Sequence, residues 1–210
     1  MGNVPSVSLP SVITCRECDC NKKCYARKIE RLRPAVRNAY QNNLKILQTA
    51  PDVFWREVEA SIMMSRFFRF HVSGDIPSEE YFRKMVEIAN RNPHCQILCF
   101  TKKYEIVNES IIWMYLASTA GATIHSTFDN VSLMADVAIP ENLHIIFSAW
   151  VGLDMVNPFS FPVAHVRFKN GETTAPADAK ECAGNCTECA VSDGGCWTLS
   201  RGESVVFNEH

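Results

Sequence analysis

Ten of the 210 residues are cysteines, and eight of them form two dense groups near the ends of the chain. The amino-terminal group has the spacing C-x2-C-x-C-x3-C, and the carboxyl-terminal group has the spacing C-x3-C-x2-C-x6-C. Four thiols so close in sequence can converge on one metal centre, because closing such short loops costs little entropy. We therefore predict that both groups ligate metal. Their members are Cys15, Cys18, Cys20 and Cys24, and Cys182, Cys186, Cys189 and Cys196.

The chemistry of these thiols depends on the compartment. The chain begins MGNVPSVSLPSVIT, which lacks the basic segment and the apolar run of an export signal. No stretch approaches the roughly 20 apolar residues that a membrane span needs. We therefore expect a cytoplasmic protein without a membrane partner. In a reducing cytosol, clustered cysteines bind metals or do redox chemistry more often than they form structural disulfides.

Iron–sulfur clusters and zinc compete for such sites. Structural zinc ribbons favour paired C-x2-C knuckles separated by a longer loop, whereas these spacings are tighter and irregular. The C-x3-C-x2-C run at 182–189 is a spacing that holds three irons of a four-iron cube. We predict one or two [4Fe-4S] clusters, with zinc as the alternative. The remaining pair, Cys95 and Cys99, is expected to be buried, because free cysteine packs as a small hydrophobic residue.

Bulk composition narrows the class of partner. The chain has 21 Lys and Arg against 23 Asp and Glu, for a formal net charge of −2. This balance gives no basic surface for nucleic acid or for an anionic membrane. With 47% hydrophobic and 21% charged residues, the composition is that of an ordinary globular domain.

Helices and short strands alternate between the two cysteine groups, and this alternation favours parallel βα units. The region is shorter than the roughly 250 residues typical of a closed eight-stranded barrel. We predict an α/β fold, a partial parallel βα barrel of about six strands, with an open sheet as the related possibility. The single domain would comprise an amino-terminal cysteine motif (1–28), a βα core (29–168) and a cysteine-rich carboxyl-terminal segment (169–210). Helices are predicted at 35–49, 53–64, 78–90 and 106–118, and strands at 4–13, 67–72, 94–101, 121–128, 143–150 and 162–168.

Polar side chains recur at matching positions of the predicted strands. Alternation places Arg69 and His71 on one face of their strand. His125, His144 and His165 likewise fall on the polar face of their own predicted strands, so all these side chains share one parity relative to the apolar residues. In a βα barrel this parity would line the lumen, and a polar lumen suits water or a polar, anionic ligand. A one-sided sheet whose polar face meets solvent gives the same pattern. The intervening helices favour the lumen.

A short turn follows the predicted strand at 67–72. Ser73, Gly74 and Asp75 lie where ligands usually bind in α/β folds, beyond the carboxyl end of a strand. Glycine permits close backbone approach, and the carboxylate could receive an ammonium or a hydroxyl group. Lys102 occupies the corresponding position one strand later. The predicted ligand-binding residues are Arg69, His71, Ser73, Gly74, Asp75, Lys102 and His125.

The order of cysteines, helix, strand and small-Gly-acidic turn resembles the radical S-adenosylmethionine enzymes. That resemblance implies that Cys15, Cys20 and Cys24 ligate a four-iron cluster that binds S-adenosylmethionine, and that the turn at 73–75 binds its amino group. The leading cysteines depart from the C-x3-C-x2-C spacing of that superfamily, and this spacing occurs instead at Cys182, Cys186 and Cys189.

A closer likeness covers most of the chain. The ordered motifs C-x3-C-Y-A-R at 20–27, R-F-H-V-S-G-D at 69–75, F-T-K at 100–102, C-x2-C at 186–189 and C-W at 196–197 resemble the phage-associated gene product eighty-eight family. This resemblance implies a phage or mobile-element origin, and hence the host cytoplasm as location. It implies no activity.

We therefore expect an iron–sulfur protein that binds a small polar or anionic ligand and that receives electrons from a donor if it is a redox or radical enzyme. The rival prediction is a non-catalytic interaction module whose zinc or iron–sulfur sites only stabilise the ends of the chain. A third arrangement brings both cysteine groups together around one shared centre. Whether the protein is an enzyme stays open at this point.

Overall fold

A computed structural model of the chain describes residues 4–15, 24–120, 131–149, 155–192 and 194–209. The elements within these ranges form an α/β fold around one parallel sheet. The strands are β1 (Ser6–Val7), β2 (Phe67–Phe70), β3 (Gln96–Thr101), β4 (Leu143–Ser148), β5 (Val163–Arg167), β6 (Lys180–Glu181) and β7 (Ser204–Asn208). The helices are α1 (Ser11–Thr14), α2 (Tyr25–Leu32), α3 (Pro34–Thr49), α4 (Pro51–Met63), α5 (Glu79–Arg91), α6 (Tyr104–Ser118), α7 (Val131–Ala138) and α8 (Cys186–Val191).

The strand order is β1-β2-β3-β4-β5-β7-β6, and every pairing is parallel. The first five strands are therefore neighbours in the order in which the chain makes them. Successive right-handed crossovers in one direction place their helices on the same side of a sheet. This arrangement is that of βα units wound one way, as predicted. The pairings among described residues do not close the sheet into a barrel, since β1 and β6 are its two edges.

Helices α3 to α7 cover one face of the sheet, here called the helical face. Phe68, Phe70, Ile97 and Phe147 belong to this face and pack into a core with helices α3 to α7. Helix α5 shows why the sequence folds this way locally. The Ser78 side chain caps its first turn by accepting from the Tyr81 N–H, and buried apolar residues recur along one side.

The opposite face is covered by the carboxyl-terminal segment, and we call it the cysteine face. A second apolar cluster here joins Leu98, Ile146 and Ala164 of the sheet to Trp197, with Cys182, Cys189 and Cys196 packed against it. The Trp197 ring lies 5.1 Å from the ring of Phe67. The segment thus buries an apolar sheet face that would otherwise meet water.

The predicted helices are confirmed to within two residues at each end, and four of the predicted strands are present, though shorter than predicted. The opening strand is reduced to β1. The strand predicted at 121–128 lies outside the described residues. The sequence analysis did not predict β6 or β7, which both lie in the segment that was interpreted as cysteine-rich, 169–210. None of the helices in the part of the chain that the structure describes has the length and apolar character that a membrane crossing requires.

Candidate metal centre

The carboxyl-terminal cysteines lie on three short elements that follow one another across the cysteine face. Cys182 directly follows β6, Cys186 and Cys189 lie in α8, and Cys196 lies in a 3-10 helix at Gly195–Thr198. Asn185 starts α8 by accepting hydrogen bonds from the backbone N–H groups of residues 187 and 188. All four thiols are half-buried.

The four thiols share one electrostatic environment. The pKa of Cys196 is raised to about 12, mainly by burial and in addition by the neighbouring Cys182, Cys186 and Cys189, whereas Arg69 acts to lower it. Burial also raises the pKa of Cys182, with contributions in the same direction from Cys186 and Cys189. Four thiolates so placed repel one another unless a cation lies among them. A metal ion supplies that charge and deprotonates its thiol ligands.

Hydrogen-bond donors already point at two of the sulfur atoms. The Arg69 Nη1 donates to the Cys186 Sγ over 3.6 Å, and the Gly184 backbone N–H donates to the Cys182 Sγ over 3.3 Å. Gly195 adopts φ +64°, and a Cβ there would lie 2.7 Å from the Cys189 Sγ. The backbone therefore closes tightly on that sulfur. Donors to sulfur and close backbone packing are what tune and shape metal–thiolate sites.

The geometry stops short of a formed ligand sphere. Over residues 4–15, 24–120, 131–149, 155–192 and 194–209, no three His, Cys, Asp or Glu side chains are placed so as to hold one metal ion. The carboxyl-terminal donor set fits a metal in type and number, but its sulfur atoms would have to draw together to bind it. The described cysteines from Cys95 onward are reduced thiols.

The amino-terminal group is described at its two ends only. Cys15 follows α1 and Cys24 is the residue before α2, and both are half-buried. Cys18 and Cys20 lie outside the described residues. The two helices that flank the motif are anchored, because both bond to the turn after β2.

Three side chains make that anchor. The buried Glu30 Oε1 accepts from the Ser11 N–H at 3.0 Å and from the Ser73 hydroxyl at 2.7 Å. The Thr14 hydroxyl accepts from the Asp75 N–H at 3.0 Å, and the Tyr25 hydroxyl donates to the Val72 carbonyl at 2.5 Å. Helices α1 and α2 are thus held on the turn from both sides of the motif. Glu30 and Tyr25 were not predicted, since a glutamate within a helix and a tyrosine beside a cysteine carry no distinctive signal.

The Ser73-Gly74-Asp75 turn lies where predicted, at the carboxyl end of β2, and it is buried by the protein itself. The Asp75 Oδ1 accepts from the Ile76 N–H and the Thr101 hydroxyl, and its Oδ2 accepts from the Lys102 N–H. Burial raises the pKa of Asp75, while the hydrogen bonds from Thr101 and Lys102 lower it. The carboxylate therefore joins the ends of β2 and β3, and its oxygens already have protein donors.

The predicted common face for the histidines is wrong in two places. His71 adopts φ 59°, so the strand ends at Phe70 and the imidazole turns to the helical side, where its Nε2 meets the Tyr81 hydroxyl at 3.1 Å. Register pairs His144 with Leu98 on the cysteine face, but it pairs His165 with Val206 on the other face. His125 lies outside the described residues.

Burial governs the chemistry of His71. Desolvation lowers its pKa to about 3, with a smaller lowering by Arg69. The imidazole is therefore neutral at ordinary pH.

Cys95 and Cys99, predicted to be buried, are confirmed as fully buried, and burial raises the pKa of Cys95 to about 11.

Arg69 is the predicted residue that the structure places at the centre of the arrangement. Its guanidinium lies 5.0 Å from the centroid of the Phe100 ring and donates to Cys186. Burial raises the pKa of Tyr25, and both Arg69 and Lys102 lower it, whereas Cys24 raises it. One guanidinium thus acts on residues of both cysteine groups.

The sequence of the chain matches the model of one protein family. A model of the family described as Gene product 88 matches residues 2–152, which include the amino-terminal cysteines and the turn after β2. The carboxyl-terminal cysteines lie beyond the matched residues. No curated protein and no solved structure matches the chain. Because the match spans well over half of the 210 residues, and because the motifs at Cys24, Arg69 and Asp75 fall inside it, the chain belongs to the Gene product 88 family.

Proposed function

We propose that this protein binds an iron–sulfur cluster through Cys182, Cys186, Cys189 and Cys196. The observation that carries the proposal is the gathering of four reduced thiols within one another's electrostatic reach on the cysteine face. The raised pKa values of Cys182, Cys189 and Cys196 keep these thiols protonated at ordinary pH, and a bound metal would deprotonate them and stabilise the thiolates. The N–H donors from Arg69 and Gly184 suit sulfur that carries negative charge.

The amino-terminal group is proposed as a second site that uses Cys15 and Cys24 together with Cys18 and Cys20. What supports it is the anchoring of both flanking helices on the turn at 72–75. A motif held at both ends loses less entropy when it closes on a metal. Because Arg69 donates to Cys186 and also lowers the pKa of Tyr25, the neighbour of Cys24, the shared single centre stays a variant of this proposal.

Catalysis belongs to the proposal only through the resemblance to radical S-adenosylmethionine enzymes. The sequential parallel strands and the turn after β2 agree with that resemblance. The protein groups that would face such a cofactor are those of the turn at 73–75 and Lys102, and a reduced cluster would supply one electron. Asp75, whose oxygens accept three protein hydrogen bonds, would position the turn.

Zinc is the second candidate, in a non-catalytic role. The carboxyl-terminal segment covers an apolar sheet face, and one zinc ion held tetrahedrally by its four cysteines would fix it there. The two candidates differ in colour and in sulfide content, so they are easy to tell apart.

The deciding experiment is anaerobic purification followed by iron, acid-labile sulfide and zinc analysis and an absorption spectrum. We expect brown protein with iron and sulfide in equal amounts. A Cys186→Ser variant should lose much of that iron, whereas Cys95→Ala, at a buried cysteine of the helical core, should retain it. Colourless protein that carries zinc would establish the second candidate, and protein without either metal would refute both.

Use of the cofactor needs its own measurement. S-adenosylmethionine added to the reduced protein should change the electron paramagnetic resonance spectrum of the cluster. An Arg37→Gln variant, altered on the exposed side of α3, is the control and should respond as the wild type does. An unchanged spectrum in a protein that holds iron would reject the radical-enzyme proposal and leave the cluster proposal standing.

A further inference from the structure

A cavity of about 380 Å³ opens at the β1 edge of the sheet, between β1, β2 and α3. This volume falls at the lower end of the range of roughly 300–1,000 Å³ typical of small-molecule sites. Register places Ser6 opposite Arg69 on the same side of the two strands. Helix α3 forms the other wall. The lining residues are Val4, Ser6, Ser8, Ala39, Tyr40, Asn43, Arg69, Val72 and Cys186.

Several residues of the lining carry hydrogen-bond donors. The guanidinium of Arg69 carries five N–H groups and a permanent positive charge. Ser6 and Tyr40, each of which carries a hydroxyl group, belong to the same lining. Within the described residues, the lining contains no aspartate or glutamate, and Arg69, whose guanidinium also donates to the Cys186 Sγ, is its one cationic residue.

Ser8 shows that the site is built rather than incidental. The residue is buried, with an exposed fraction of 4%. Its Oγ accepts hydrogen bonds from the Val72 N–H at 3.1 Å and from the Ser73 N–H at 3.3 Å. Both lone pairs are thereby used, so the group that this hydroxyl can present to the cavity is its hydrogen. The Asn43 side-chain amide fixes the same strand by donating to the Ser8 carbonyl at 3.0 Å.

We propose that this cavity binds a small oxyanion-bearing molecule, a phosphate ester or a carboxylate, with Arg69 as the charged anchor and Ser8 and Tyr40 as hydroxyl donors. A guanidinium matches the two oxygens of either group in a bidentate pair. The site differs from the ligand site predicted from the sequence, because it uses β1 and α3 and leaves out His71 and Asp75. The proposal goes beyond the metal centre and does not depend on it, although Cys186 forms part of the wall.

The test is a ligand titration of the purified full-length protein at fixed ionic strength, followed by calorimetry or ligand-observed nuclear magnetic resonance. Inorganic phosphate and succinate are the two anionic probes, and ethylammonium is the cationic control. We expect phosphate or succinate, and not ethylammonium, to bind at millimolar concentration or below. The stronger of the two anions identifies the ligand class.

Variants then locate the site. Arg69→Gln should weaken binding about tenfold or more, equivalent to about 1.4 kcal/mol. Tyr40→Phe should weaken it less, since it removes one neutral hydroxyl. Arg37→Gln removes the same charge from the exposed side of α3 and should leave the affinity unchanged. Equal losses in Arg69→Gln and Arg37→Gln would show unspecific attraction and overturn the proposal, as would wild-type protein that binds neither anion.

Metal content is measured on every variant. A protein that lacks iron and zinc but still binds the anion would refute the metal proposal and keep this one. A protein that carries metal but binds no anion would refute the anion-binding proposal and keep the metal proposal. If Arg69→Gln folds poorly, Tyr40→Phe and Arg37→Gln still decide the question, because equal affinities in those two variants would place the anion elsewhere.

Discussion

Gly74 is the residue on which the docking of the amino-terminal cysteine motif depends most directly. It adopts φ +82°, and a Cβ at this position would lie 2.6 Å from the Leu9 carbonyl oxygen and 2.7 Å from the Thr14 Oγ1. No L side chain fits so close to backbone. The sequence suggested that this glycine serves close approach to a ligand, whereas in the structure Leu9, between β1 and α1, and Thr14 of α1 make the close approach.

In a Gly74→Ala variant, the free energy of unfolding should therefore fall by more than the cost of placing alanine in a left-handed backbone conformation. The left-handed conformation costs roughly 1–2 kcal/mol for a residue with a Cβ, and the backbone contact adds to that. Gly171→Ala is the matched control, because Gly171 has φ +85° but no atom within 4 Å of the added Cβ. Urea unfolding of both variants measures the difference. Equal losses would show that the contact with Leu9 can relax.

His71 gives a pH dependence whose sign follows from its burial. Its pKa is about 3 in the folded protein, against about 6.5 in the unfolded chain. Between these values the unfolded state binds the proton and the folded state does not, so stability falls as the pH falls through this range. The group should account for a loss of about 3 kcal/mol in the free energy of unfolding between pH 6.5 and pH 4.

The check is urea unfolding across that pH range in the wild type and in His71→Asn. Asparagine tolerates positive φ, so it suits the left-handed backbone at this position. The variant should have a shallower pH dependence, even if its stability at neutral pH is lower. Superimposable pH profiles would show that His71 is protonated equally in both states. His144 and His165, whose pKa values burial also lowers, remain in both proteins.

At the scale of elements, the short 3-10 helix at Gly195–Thr198 holds the carboxyl-terminal segment on the sheet. Trp197 is 5% exposed and packs on Phe67 and His144. Because this contact joins the cysteine segment to β2 and β4, it also decides where the four thiols lie. The segment has few other large apolar side chains, so the anchoring is concentrated in one residue.

Trp197→Ala should lower the free energy of unfolding by about 3–5 kcal/mol, as removal of a buried aromatic residue usually does. Trp113 on α6 is 59% exposed, and Trp113→Ala should change stability by well under half of that. Circular dichroism in the far ultraviolet follows unfolding independently of tryptophan fluorescence. If both variants lose the same stability, the packing of Trp197 on the sheet does not contribute as described.

At the scale of the whole molecule, metal binding and folding of the carboxyl-terminal segment should be coupled. The helical core has its own apolar packing, whereas the cysteine segment combines short elements with half-buried thiols. Ligand removal should therefore loosen the segment before the core, because the binding free energy of a structural metal is largely folding free energy.

Hydrogen exchange before and after treatment with a chelator measures this coupling. Amides at 182–198 should exchange faster once metal is removed, whereas amides of α5 at 79–91 should keep their protection. The Cys186→Ser variant should resemble the chelated wild type without any chelator. Unchanged exchange at 182–198, in a protein shown to have lost its metal, would separate the metal from the fold of this segment.

The sequence by itself determined helices α3 to α6, strands β2 to β5, their parallel class and the grouping of the cysteines. These features depend on local periodicity, on caps such as Ser78 and on spacing along the chain, all of which are local properties. The burial of Cys95 and Cys99 could also be predicted, because both lie within or beside an apolar strand.

Only the tertiary structure decided which side chains share a site. One left-handed residue, His71, turns the chain and ends the alternation from which a common histidine face was predicted. The hydrogen bond between Arg69 and Cys186 joins residues 117 positions apart, and no local pattern encodes that separation. The carboxyl-terminal segment packs on the cysteine face because Trp197 and the apolar side chains of the sheet exclude water from each other. This burial needs both surfaces to be formed, so it cannot be read from either stretch of sequence alone.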